Sequence, residues 1–172
     1  MAAADRRLLI AWWSNTGGTE RLVQAAAAGA RDAVRDDPAP PRVLEVRCDR
    51  LSPAAVRAAD ALLFAVPECL GSMAGPMKAF FDRCYYPALD ALNGRPYAAI
   101  VCAGTDGAGT VRQIERIATG WRLKQVAEPL RVLTGAQTPD AILEPKSIGD
   151  ADLERASALG ATLAAGLSLG LW

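Results

Sequence analysis

The chain has 172 residues, 51% of them hydrophobic and 22% charged, enough apolar material for one folded domain over 1–172 and too much for a disordered segment. Nineteen Lys and Arg balance nineteen Asp and Glu, so no overall field draws the molecule to nucleic acid or to an anionic membrane. Histidine is absent, which excludes imidazole-based hydrolase triads and most zinc sites; no metal is expected.

Short apolar runs alternate with segments whose apolar residues recur every three or four positions, the pattern of an α/β fold. Leu8 to Trp13 reads as a buried central strand. A first helix follows, with Leu22, Val23, Ala26, Ala30 and Val34 as its buried stripe, stopped by Pro38, Pro40 and Pro41. Arg42 to Arg47 is a second strand, and Ser52-Pro53 caps and opens a short helix. Ala61 to Val66 is the third strand. Gly75 and Pro76 open a helix whose apolar face is Met77, Phe80, Phe81, Cys84 and Tyr85. Tyr97 to Ala103 is the fourth strand, and Thr110 with Gln113 has the spacing of a capping box ahead of Val111, Ile114, Ile117 and Ala118. The fifth strand lies within Gln125 to Leu133, where Pro129 demands a sheet edge or a bulge. A final helix carries Leu153, Ala156, Leu159, Leu163 and Leu167. The uncharged run Ala158 to Trp172 is too short for a membrane span, and Met1 to Arg7 lacks the apolar core of a secretory signal. With Cys48, Cys69, Cys84 and Cys102 far apart, buried thiols in a reducing cytoplasm are expected.

Such a sequence makes a three-layer, doubly wound parallel sheet, whose ligands settle at the carboxyl ends of the strands. The loop after the first strand is Ser14, Asn15, Thr16, Gly17, Gly18, Thr19. Unpaired amides at a helix start attract a phosphate, the glycines let it approach, and the hydroxyls of Ser14, Thr16 and Thr19 donate further bonds. No lysine sits in this loop, so it is not the triphosphate motif G-x-x-x-x-G-K-[ST], and G-x-G-x-x-G is absent as well. Glu20 is expected to point away. The residues around Ser72 do not form G-x-S-x-G. Asp36 and Asp37 read as solvated surface charge.

The loop resembles S/T-x-T-G-x-T, the phosphate loop of flavodoxins. The stretch Pro67 to Arg83, with Met77-Lys78-Ala79-Phe80-Phe81-Asp82-Arg83, is more similar to the flavodoxin-like NAD(P)H-dependent oxidoreductases, which include quinone and FMN reductases. It departs from them at Cys69 and Leu70, where they commonly carry a basic residue and an aromatic. The resemblance implies a five-stranded parallel sheet of order 2-1-3-4-5 and FMN as cofactor. It implies a cytoplasmic enzyme that takes hydride from NAD(P)H at the flavin and reduces a quinone or similar small acceptor. The alternative is a flavodoxin carrying electrons between proteins, a role for which a balanced surface charge is unusual.

The same resemblance places the isoalloxazine ring against Pro67, Glu68, Cys69, Leu70, Gly71, Ser72 and Met73, with Leu70 and Met73 as apolar contacts and amides near Gly71 and Ser72 on its polar edge. The glycine-rich stretch Ala103, Gly104, Thr105, Asp106, Gly107, Ala108, Gly109 brings bare backbone to a flat ligand. Asp106 either accepts from the flavin pyrimidine or braces its own turn. Chemistry at flavin N5 needs no catalytic side chain. The stretch Thr134 to Asp140 carries no assignable role, and a homodimer through Tyr85, Tyr86 and Trp172 stays open, as does their burial.

Overall fold

The computed structural model describes residues 6–172, so most of the stretch Met1 to Arg7 lies outside the described residues. The strands are β1 (Arg7–Trp12), β2 (Arg42–Arg47), β3 (Ala61–Cys69), β4 (Ser72–Met73), β5 (Pro96–Ala103), β6 (Lys124–Gln125) and β7 (Leu130–Leu133). The helices are α1 (Gly18–Ala33), α2 (Pro53–Arg57), α3 (Gly75–Ala88), α4 (Ala108–Gly120), α5 (Pro139–Leu143) and α6 (Asp150–Leu169).

The main sheet is parallel, in the order β2-β1-β3-β5, closed at one edge by β6 and β7, which both pair with β5. The expected fifth strand is therefore two short ones, because the chain leaves the ladder between Gln125 and Leu130, around Pro129. Proline has no N–H to give, and the break falls on the edge where such a gap is tolerated. Counting β6 and β7 as one position, the flavodoxin-like order holds.

Alternate side chains of the central strands enter two cores. Leu9, Ala11, Leu62, Phe64 and Val66 join α3 and α4 on one face; Leu8, Ile10, Ala61, Leu63 and Ala65 join α1 and α6 on the other. This is the period of 2 that a strand covered on both faces must show. On the first face Phe64 packs edge-on to Phe81, with centroids 4.9 Å apart, and Phe81 packs on Trp121 at 5.3 Å.

Local signals place most helix starts. Ser52 Oγ accepts from Ala55 N at 3.2 Å to cap α2, and α3 opens at Gly75-Pro76. Met77, Phe80, Phe81 and Cys84 are buried as the spacing requires, whereas Tyr85 reaches solvent. Trp13 lies past the end of β1, with the Arg47 guanidinium 4.5 Å from its ring centroid. Asp37 is not merely solvated. It accepts from the Ser168 hydroxyl and from Ala39 N, and the Ser168 bond, ahead of the others, holds its carboxyl below the ordinary range. No helix among the described residues is long and apolar enough to cross a membrane.

Candidate functional site

A crevice of about 370 Å3 opens where β1, β3 and β5 end, the position open α/β sheets reserve for ligands. Ser14, Asn15, Thr16, Gly18 and Thr19 form one wall, and Pro67, Glu68, Cys69, Leu70 and Gly71 the facing one. Cys102, Ala103, Gly104 and Thr105 make the floor at the end of β5. Thr134, Ala136, Ile142 and Lys146 complete the lining.

The first wall is a bare helix start. Gly17, at φ 86°, is the N-cap of α1, in left-handed backbone that a side chain would strain. Its N–H donates to Ser14 Oγ at 3.0 Å, which shapes the turn. No side chain caps the helix itself, so the first-turn amides at Gly18 and Thr19 keep their positive character for a ligand. Thr19 is 1% exposed, and its hydroxyl has no partner other than the weak thiol of Cys102 beside it. Gly18 packs closely: a Cβ there would stand 3.0 Å from both Cys102 Sγ and Lys146 Cβ. Uncapped amides at a glycine-led helix start, beside a nearly buried hydroxyl, fit a phosphate monoester. Glu20 is exposed and does not line the crevice.

Lys146 supplies the positive charge that the loop itself lacks. Its N–H donates to Thr16 O at 2.8 Å, fastening the segment before α6 to the phosphate loop. Its Nζ donates to Ile142 O at 2.9 Å and Glu144 O at 2.6 Å, so the ammonium is turned onto its own segment beside the crevice. Burial pushes the neighbouring Cys102 thiol up to about 11, against the pull of the Lys146 charge. Cys102 is inert as a nucleophile at neutral pH.

The facing wall is a hairpin that the sequence reading took for a loop. Pro67 to Cys69 continue β3, and Glu68 and Cys69 pair antiparallel with Met73 and Ser72. The two residues between them, Leu70 at φ 53° and Gly71 at φ 72°, both lie at positive φ, as tight two-residue turns of type I′ demand. Leu70 is fully exposed, an apolar side chain held on the lip in a conformation leucine disfavours.

Side chains from α4 hold this hairpin. Gln113 Oε1 accepts from Ser72 Oγ at 3.0 Å and from Met73 N at 2.9 Å. Glu68 accepts from Gly107 N at 3.1 Å and from the Thr110 hydroxyl at 3.2 Å, setting a carboxylate at the N-terminus of α4. The expected capping box therefore does not form. Gly107 is the N-cap, and Thr110 and Gln113 serve the hairpin. The two walls meet through Asn15, whose Nδ2 donates to Cys69 Sγ at 3.1 Å while its Oδ1 accepts from Trp13 Nε1 at 2.6 Å.

Five of the expected site residues stand outside the crevice lining: Gly17, Ser72, Met73, Asp106 and Gly109. Met73 is 5% exposed in the α3–α4 core and offers no face to a ring in the crevice. Asp106 is exposed, and its O and Oδ1 accept from Arg131 Nη1 at 3.0 and 3.4 Å. Gly17 and Gly109 act through backbone shape. Conversely, Cys102, Thr134, Ala136, Ile142 and Lys146 line the crevice without having been expected there. For Cys102 the signal was present, since it lies at the end of a central strand.

Residues 36–134 match the family described as NADPH-dependent FMN reductase, a stretch running past β2 to the end of β7 and including the hairpin. No curated protein matches the chain. Among solved structures, a flavodoxin from the domain Archaea has a TM-score of 0.75 at 17% identity, covering 94% of this chain and 98% of that one. A flavodoxin of Streptococcus pneumonia TIGR4 gives 0.71 at 20%, covering 92% and 97%. A WrbA-like flavodoxin from Agrobacterium tumefaciens gives 0.67 at 20%, covering 96% and 98%. At these identities the likeness is one of fold. Matched over more than half its length and carrying a crevice suited to a phosphate monoester, the chain belongs to the NADPH-dependent FMN reductase family, on a flavodoxin-like fold, with FMN as its cofactor.

Proposed function

We propose that the protein is an FMN-dependent oxidoreductase that accepts hydride from NADPH or NADH and passes electrons to a quinone or similar small acceptor. The observation that carries this reading is the asymmetry of the crevice. One wall offers uncapped helix amides and the buried Thr19 hydroxyl; the facing wall carries the exposed apolar side chain of Leu70.

In this reading the first-turn amides of α1, with the hydroxyls of Ser14, Thr16 and Thr19, hold the FMN phosphate. The hairpin from Cys69 to Ser72 lies along the ring, and Leu70 covers part of it while leaving a face reachable. Bound FMN supplies the hydride-accepting centre, so the protein needs no histidine. Its own residues bind, orient and partly shield the ring. The apolar lip suits a flat, weakly polar acceptor better than the charged surface of a partner protein.

The test is turnover of NADPH or NADH with a benzoquinone by protein loaded with FMN. Acceleration over free FMN is expected, and its absence overturns the reading. The likeness in fold to flavodoxins over nearly the whole of both chains favours electron carriage as the second reading. A redox titration separates the two: one two-electron step supports the reductase, and two well-separated one-electron steps support the carrier.

A further inference from the structure

Between β7 and α6 the chain passes the crevice as a strap, with Ala136, Ile142 and Lys146 in the lining. It is fastened at both ends. At one, Thr134 N donates to Ala103 O at 2.9 Å and Gly135 N to Gly104 O at 2.8 Å, and Gly135 turns the chain at φ 72°. At the other, Lys146 N donates to Thr16 O at 2.8 Å, and Ile148 is buried in the core shared by α1 and α6.

Between these anchors the strap is bonded almost only to itself. Thr138 Oγ1 accepts from Ala141 N at 3.3 Å, and Glu144 N donates to Asp140 O at 3.0 Å. Among the described residues, one side chain outside 136–145 reaches into this stretch: the Lys146 ammonium, which donates to Ile142 O at 2.9 Å and Glu144 O at 2.6 Å. The helix it carries, α5, buries none of its five residues, and Ile142 and Leu143 are 51% and 76% exposed. A helix this short with no buried face is not held by packing, so the strap opens at low cost.

Lys146 also joins the strap to the phosphate end. It is the one cation among the described residues of the lining, and a Cβ on Gly18, in the first turn of α1, would stand 3.0 Å from its Cβ. An ammonium has three N–H donors, and two are given to the strap, leaving one for an anion held by that turn. A hydrogen bond between two ions is stronger than one to a neutral carbonyl, so the phosphate would pin the ammonium and, through it, the carbonyls of α5.

We propose that residues 136–145 form a lid on the crevice, latched by Lys146 when a phosphate is bound, so that the lid closes Ile142 and Leu143 onto FMN and stays open over riboflavin. The inference rests on FMN as the ligand of the crevice. It adds to the helix amides a residue that couples the phosphate to coverage of the flavin. The bound state favours the closed lid only by the difference that the phosphate makes to Lys146, which is why the unphosphorylated flavin is the informative comparison.

Hydrogen exchange read by mass spectrometry on the full chain tests this, with flavin occupancy measured by fluorescence in the same samples. At saturating FMN the amides of 136–145 are expected to exchange about tenfold or more slowly than in flavin-free protein, and at saturating riboflavin less than about threefold more slowly. In Lys146→Met saturated with FMN the slowing is expected to drop to the riboflavin level, whereas Lys146→Arg, which keeps a cationic donor, retains part of it. Equal slowing by the two flavins, full slowing in Lys146→Met, or unchanged exchange at full FMN occupancy overturns the proposal. Should Lys146→Met fail to fold, FMN against riboflavin on the wild type decides alone. An absence of FMN uptake would remove the cofactor assignment and the lid with it, and the fluorescence reading distinguishes that failure from a lid that does not close.

Discussion

Gly109 of α4 meets Gly71 of the β3–β4 hairpin so closely that a Cβ on Gly109 would stand 2.6 Å from the Gly71 carbonyl oxygen. The start of α4 is thereby the buttress of one crevice wall, together with the Gln113 and Glu68 hydrogen bonds. Gly109→Ala is expected to push the hairpin into the crevice, destabilising the fold by about 1–3 kcal/mol as overpacking does. The FMN dissociation constant should rise about tenfold or more in a fluorescence titration. Gly120→Ala, where nothing lies within 4 Å, is the control and should leave FMN binding unchanged. Equal FMN affinities in the two variants would remove the buttress role.

The buried hydroxyl of Thr19, with only the weak Cys102 thiol beside it, separates stability from binding. Burying a polar atom without a partner costs about 1–3 kcal/mol, so Thr19→Val should leave the cofactor-free Tm unchanged or higher. The same variant should weaken FMN about tenfold while riboflavin, which has no phosphate, binds as before. Parallel losses for both flavins would place Thr19 somewhere other than on the phosphate.

Leu70 holds left-handed backbone at a cost of roughly 1–2 kcal/mol. Leu70→Gly should therefore raise the Tm while lowering affinity for riboflavin and FMN alike, because it removes an apolar lip rather than a phosphate donor. Denaturant midpoints and flavin titrations read the two effects. A Tm that falls with unchanged flavin affinity would make Leu70 a purely structural residue.

Burial raises the Cys48 and Cys102 thiols from 9.0 to about 11. Both states are protonated below pH 9, so stability is unaffected there. Between pH 9 and 11 the unfolded chain ionises these thiols while the folded one does not, and stability falls as pH rises. Urea midpoints should decline from about pH 9 upward, and less steeply in Cys48→Ala. At pH 8 a thiol reagent should label Cys69, the half-exposed cysteine, ahead of the three buried ones.

Elements whose cause is local were readable from the amino-acid order. Leu8 to Trp12 announce a doubly covered strand, Ser52-Pro53 a capped helix, and Pro129 an edge that cannot complete its ladder. The crevice walls were legible where backbone chemistry decides, as at Gly17 to Thr19. They were illegible where a partner distant in sequence decides. Thr110 and Gln113 have capping-box spacing, yet they bond Glu68, the Ser72 hydroxyl and the Met73 N–H, partners about forty residues away in the chain. Lys146 follows no motif at all; it comes beside Gly18 through a tertiary contact in which its N–H donates to Thr16 O. The turn at Leu70-Gly71 was obscured by leucine, a residue no rule of turn chemistry would select.

The gap around Pro129 has one more effect. The margin of the sheet beyond β5 is two stubs, Lys124–Gln125 and Leu130–Leu133, with no continuous row of vacant donors and acceptors between them. A neighbouring molecule has too little straight backbone there to zip onto, so strand addition at this rim is blunted and β2 is left as the one edge long enough to accept a strand.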